Sequence, residues 1–75
     1  MKIEILGTGC SKCSQLAQNA KKALEESGKD GEIIKVEDIN EIIEYGVMST
    51  PAIVIDGQVK SYGKLNDVEE IKEWL

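Results

Sequence analysis

The sequence predicts an α/β domain in which a four-stranded mixed sheet carries helices on both faces. Three observations predict it. A β-rich run (2–6), a long stretch of helical apolar spacing (11–27) and a second β-rich run (32–37) follow one another as strand, helix and strand. Two further β-rich runs within 51–62 are pinched by Asp56-Gly57, which suits a two-residue type I′ hairpin. The chain has 75 residues, enough for one core and no second.

Each element has its own local reason. In "KIEIL" (2–6) the β-branched Ile3 and Ile5 favour a strand, and "GTG" (7–9) is a flexible loop. From Ser11 to Ser27 the apolar positions Cys13, Leu16, Ala17, Ala20 and Leu24 form one helical stripe. Gln15, Gln18, Lys21, Lys22 and Glu25 face away from it. Gly28 ends this helix in the turn "GKDG". The strand 32–37 joins the first through a right-handed crossover, so the two run parallel. Asp38 is placed as an N-cap with Glu41 completing a capping box. The helix 39–45 then carries Ile39, Ile42 and Ile43 inward and closes at Gly46. After the hairpin, Asn66 is placed as the cap of a last helix with Glu69 three positions on, and Val68, Ile71, Trp74 and Leu75 form its buried face. The predicted order is β1-α1-β2-α2-β3-β4-α3, a single domain over residues 1–75.

Composition narrows the function. The chain is 41% hydrophobic and 31% charged, with a formal charge of −5, and it lacks a basic stripe that would track a phosphate backbone. No nucleic-acid partner is expected. The absence of histidine removes the usual general base and the commonest metal ligand. No apolar run approaches the ~20 residues of a membrane span. The opening "MKIEILGTGC" is too short and too soon charged to read as a secretory signal, so a cytoplasmic protein, monomeric and off the membrane, is expected.

In that compartment a disulfide tends to be transient or catalytic, which directs attention to Cys10 and Cys13, the only two cysteines. Cys10 falls where the first strand has ended and the helix is beginning, a place where free N–H groups and the helix dipole favour a thiolate. Lys12 adds a positive charge nearby, or is simply solvated. Cys13 belongs to the apolar stripe and turns inward. One sulfur is presented and one sheltered, at an i, i+3 separation that allows them to bridge, which is the asymmetry that dithiol exchange needs. Closing so small a ring restricts the unfolded chain little, so a structural staple is disfavoured.

The only proline, Pro51 in "MSTPAIVI", precedes the third strand. If that strand lies antiparallel to the first, its start meets the end of the first strand and places Pro51 beside the cysteines. Statistics alone favour a trans bond there. Thr50 could then offer its backbone to an extended peptide by strand addition.

"GTGCSKC" followed by a helix, together with "STP" opening a hairpin, resembles the thioredoxin–glutaredoxin superfamily, and within it the small redox-active disulfide proteins. The resemblance covers essentially the whole chain. It implies the sheet order 2-1-3-4, a cis Thr50-Pro51 bond, Cys10 as nucleophile and Cys13 as resolving thiol. It also implies a disulfide-bearing protein or small molecule as substrate, an upstream reductase, and no cofactor beyond the Cys10–Cys13 dithiol itself. Gly9 stands where thioredoxins carry tryptophan, and Ser11-Lys12 stand in place of Gly-Pro. The direction of electron flow therefore does not follow from the likeness. Glu4, six residues before Cys10, occupies the offset of a buried acid that helps deprotonate the resolving cysteine in thioredoxins. Read from the strand alone, with Ile3 and Ile5 on one side, Glu4 faces solvent.

The competing class is a binding module for a soft ion. "GTGCSKC" also resembles the loop of heavy-metal-binding domains, and two thiolates suit Cu(I), with Met48 as a conceivable soft ligand or a packing residue. Those domains run βαββαβ and end in a strand, whereas this chain ends in "NDVEEIKEWL", a capped helix. Tyr45, Tyr62 and Trp74 are read as core or edge packing, and Gly7 and Gly9 as sources of backbone freedom.

Overall fold

The computed structural model describes residues 1–9, 11–47 and 49–75; the readings made for Cys10 and Met48 lie outside the described residues. The elements are β1 (Lys2–Leu6), α1 (Ser11–Ser27), β2 (Glu32–Val36), α2 (Ile39–Glu44), β3 (Ala52–Ile55), β4 (Gln58–Tyr62) and α3 (Val68–Lys72). They follow the predicted order, with boundaries moved by a residue or so except at α3, which ends at Lys72, so that Trp74 and Leu75, expected on its buried face, pack against the core from beyond the helix. The sheet runs β2-β1-β3-β4. β1 is parallel to β2 and antiparallel to β3, and β3 is antiparallel to β4.

The hairpin closes at Asp56 and Gly57, whose φ angles of 49° and 84° are the paired positive values of a type I′ turn. The β3–β4 register then shifts between Ile53 and Val54, leaving Lys60 as an extra residue on β4.

Two apolar layers flank the sheet. On one face Ile3, Ile5, Ile53 and Ile55 pack against Leu16, Ala20 and Leu24 of α1 and Ile71 of α3, with Val68, Trp74 and Leu75 at the margin. On the other face Leu6, Val36, Ala52 and Val54 pack against Ile42 of α2, with Tyr45 at the margin. Both central strands are therefore buried on both sides over nearly their whole length. No helix among the described residues is long and apolar enough to cross a membrane.

Three expectations are corrected. In α2 only Ile42 is buried, while Ile39 and Ile43 are 55% and 62% exposed. A helix of six residues makes fewer than two turns and meets the sheet at one position. Its Asp38 cap holds, but the carboxylate accepts from the Asn40 N–H. At α3 the cap is Asp67, one residue later than expected, in a capping box with Glu70. Asn66 is only 2% exposed, with its backbone carbonyl accepting from Asn19 of α1, so its side chain is committed to the interior and the solvent-facing carboxylate takes the helix end. Tyr62 stands exposed on edge strand β4.

The third correction concerns Glu4, which is 8% exposed and does not face solvent. Alternation along β1 does turn it away from Ile3 and Ile5, but the face it meets is covered by α2. There the Tyr45 hydroxyl donates to Glu4 Oε2, and Lys2 Nζ lies 3.9 Å from Oε1. The bond to Glu4, assisted by burial, pushes the Tyr45 phenol up to about 12.

Candidate functional site

β1 and β2 are parallel, so both deliver their C-terminal ends to the same edge of the sheet. That edge is where ligands and reactive groups collect in open α/β sheets. The Gly7 N–H extends the ladder by donating to the Val36 carbonyl at 3.0 Å, after which the chain passes through Gly9, at φ 88°, into α1. The positive φ at Gly9 is the backbone freedom expected of it.

Cys13 lies in the first turn of α1 and is buried, 6% exposed, as its place in the apolar stripe predicts. Gly7 serves it by being small. A methyl group added at Gly7 would lie 3.0 Å from Cys13 Cβ and closer still to Sγ. The strand backbone therefore backs directly onto the thiol, and here glycine supplies space, not conformational freedom.

Pro51 reaches the same place from the other side. β3 is antiparallel to β1 and Ala52 pairs with Leu6, so one step further along the register Pro51 stands across from Gly7. The Thr50-Pro51 bond is cis, Pro51 is buried and Thr50 is exposed. The Pro51 carbonyl accepts from the Gly63 N–H at 2.8 Å, tying the loop to the end of β4. The fold thus gathers Gly7, Cys13, Thr50 and Pro51 at one end of the sheet. Lys12 is exposed on α1. Glu4 is buried, as the resemblance implies, and its carboxylate accepts from Tyr45 at the margin of the α2 layer, while Cys13 lines the cleft beside Ile5.

Two neighbours of Cys13 were missed from the sequence. A narrow cleft beside it is walled by Gly7, Gly9, Ser14, Lys35 and Glu37. Lys35 pairs in register with Ile5, and Glu37 follows the last residue of β2. The parallel crossover already placed the end of 32–37 beside the end of 2–6, so the signal was present in the topology.

A family model described as a thioredoxin domain matches residues 1–75. A thioredoxin of Methanocaldococcus jannaschii is 53% identical over 73 residues, spanning 97% of this chain and 84% of its own length. A thioredoxin of Methanothermobacter thermautotrophicus is 41% identical over 75 residues, spanning 100% of this chain and 97% of its own.

Proposed function

Because the chain belongs to the thioredoxin domain family, we propose that it is a thiol–disulfide oxidoreductase working through the dithiol of Cys10 and Cys13. The observation that carries this reading is the setting of Cys13: a sheltered thiol in the first turn of α1, pressed against Gly7, with the Thr50-Pro51 loop across the register.

The chemistry follows from one presented and one sheltered sulfur. The Cys10 thiolate attacks a sulfur of the substrate disulfide; a mixed disulfide forms and the first substrate thiolate leaves. Cys13 then gives up its proton and attacks Cys10 in the mixed disulfide, releasing the second thiolate. Two electrons pass from the dithiol to the substrate, which departs as two thiols, and the protein is left with a Cys10–Cys13 disulfide. The backbone of Thr50, an exposed residue, pairs with an extended segment of the partner, while Pro51 keeps a competing N–H out of the groove. Disulfide-bearing proteins or small disulfides are the substrates, and a reductase in the cytoplasm restores the dithiol.

Equilibration in graded dithiothreitol or glutathione buffers tests this reading. The expected result is one reversible two-electron transition, about 30 mV for each tenfold change in the ratio of oxidised to reduced protein. A pair that does not oxidise, or that oxidises and cannot be reduced again, contradicts it.

A further inference from the structure

We propose that the groove between α1 and β2 binds an acidic arm of the substrate, so that small disulfides carrying carboxylate or sulfonate groups are preferred; this rests on the exchange reaction proposed above. Ser14, Ala17, Gln18 and Lys21 recur at i, i+3, i+4 and i+7 and share one face of α1. Ile33 and Lys35 are two residues apart on edge strand β2 and share a face of the sheet. Together these six residues line a groove of about 320 Å³, near the lower end of the ~300–1,000 Å³ usual for small-molecule sites. Ser14 and Lys35 also wall the cleft at Cys13, so the groove adjoins the cleft that holds this thiol.

Charge gives the groove its selectivity. The protein is acidic overall, at −5, yet this groove is lined by two lysines and no carboxylate. Lys2, Lys64 and Lys72 each face a glutamate, but Lys21 and Lys35 enter no ion pair among the described residues. Beyond Lys21 the wall is mixed in charge, with Glu25 and Asp30 beside Lys29, so the stretch free of carboxylates ends there. Ser14 and Lys21 are seven residues apart on the helix, about 10 Å at 1.5 Å per residue, a length that the arm of a small disulfide spans. Ala17 and Ile33 supply an apolar floor for its carbon chain.

The reaction is unchanged in its balance. The Cys10 thiolate forms a bond to one sulfur of the acidic disulfide and the S–S bond breaks. Cys13 displaces the retained half, and two acidic thiols leave carrying the two electrons.

The test measures the rate at which reduced protein is oxidised by dithiodipropionate, hydroxyethyl disulfide and cystamine, using acid quenching and mass spectrometry. Wild type is compared with Lys21→Gln, Lys35→Gln and the double variant. Each exposed charge contact is worth about threefold, so the double variant should lose roughly tenfold more rate with dithiodipropionate than with hydroxyethyl disulfide. High salt should shrink that difference. An equal loss with all three disulfides, or no loss, overturns the groove while leaving the exchange reading intact. If the wild type reacts with none of the three, the exchange reading falls and takes the groove with it.

Discussion

Replacing Gly7 with alanine should destabilise the protein and impair Cys13 together. The new methyl would sit 3.0 Å from Cys13 Cβ, against an optimal carbon–carbon separation of roughly 3.5–4.0 Å. The helix turn or the strand must therefore yield by about 0.5–1 Å at Cβ, and by more at the sulfur. Overpacking a close contact costs about 1–3 kcal/mol. The opposing term is small and of known sign: glycine to alanine where the backbone permits it stabilises by about 0.4–1 kcal/mol through the unfolded chain. Gly7 has no positive φ, so the backbone itself would accept alanine. The sign of the change therefore separates the two effects. Urea unfolding of the reduced protein should show a net loss of stability, and stopped exchange reactions should show slower release of the mixed disulfide. A Gly7→Ala protein that is more stable than wild type and resolves mixed disulfides at the same rate would refute the close approach of strand and thiol.

Removing the Tyr45 hydroxyl with phenylalanine strips a donor from the buried Glu4 carboxylate and should cost about 1–3 kcal/mol in denaturant unfolding. The same bond makes stability pH-dependent. The folded phenol binds its proton more tightly than the ordinary value of 10.0, so its contribution is full below that pH and is lost as the pH rises towards about 12; Tyr45→Phe should flatten this decline. Ile42→Ala should cost about 2–5 kcal/mol as a core truncation, while Ile43→Ala, at an exposed position, should fall within about 0.5 kcal/mol of wild type. Asp67→Ala should cost about 1 kcal/mol by removing the α3 cap. Its partner Glu70 is held below the ordinary carboxylate range, first by the Lys64 hydrogen bond and then by the Asp67 backbone. That contribution is present above the usual carboxylate pKa and disappears as the pH falls through the depressed one, which an acid titration of unfolding would follow.

The topology was legible because local signals agreed with one another. The strand–helix–strand run fixed a parallel pair, Asp56-Gly57 fixed the hairpin, and the apolar stripe of α1 turned Cys13 inward as it is found. Pro51 could be placed near Gly7 once β3 was taken as the antiparallel neighbour of β1. What escaped the sequence depends on tertiary choices. Glu4 reads as solvent-facing on one strand, and only the landing of α2 on that face buries it against Tyr45. Asn66 and Asp67 are adjacent and both are good capping residues; burial of the first hands the cap to the second. Three isoleucines in α2 suggest a broad apolar face that a helix of six residues cannot present to the sheet. Lys21 and Lys35 are fourteen positions apart in sequence, and only the packing of α1 against the edge of β2 joins them in one groove.

The most direct test is to trap the mixed disulfide. Cys13→Ser, reduced and then given a disulfide substrate, should accumulate a one-to-one covalent adduct on Cys10, whereas Cys10→Ser should accumulate none on Cys13. Peptide mapping by mass spectrometry assigns the site. Adduct on Cys13, or turnover by both variants at the wild-type rate, would contradict a sheltered resolving thiol behind an attacking one.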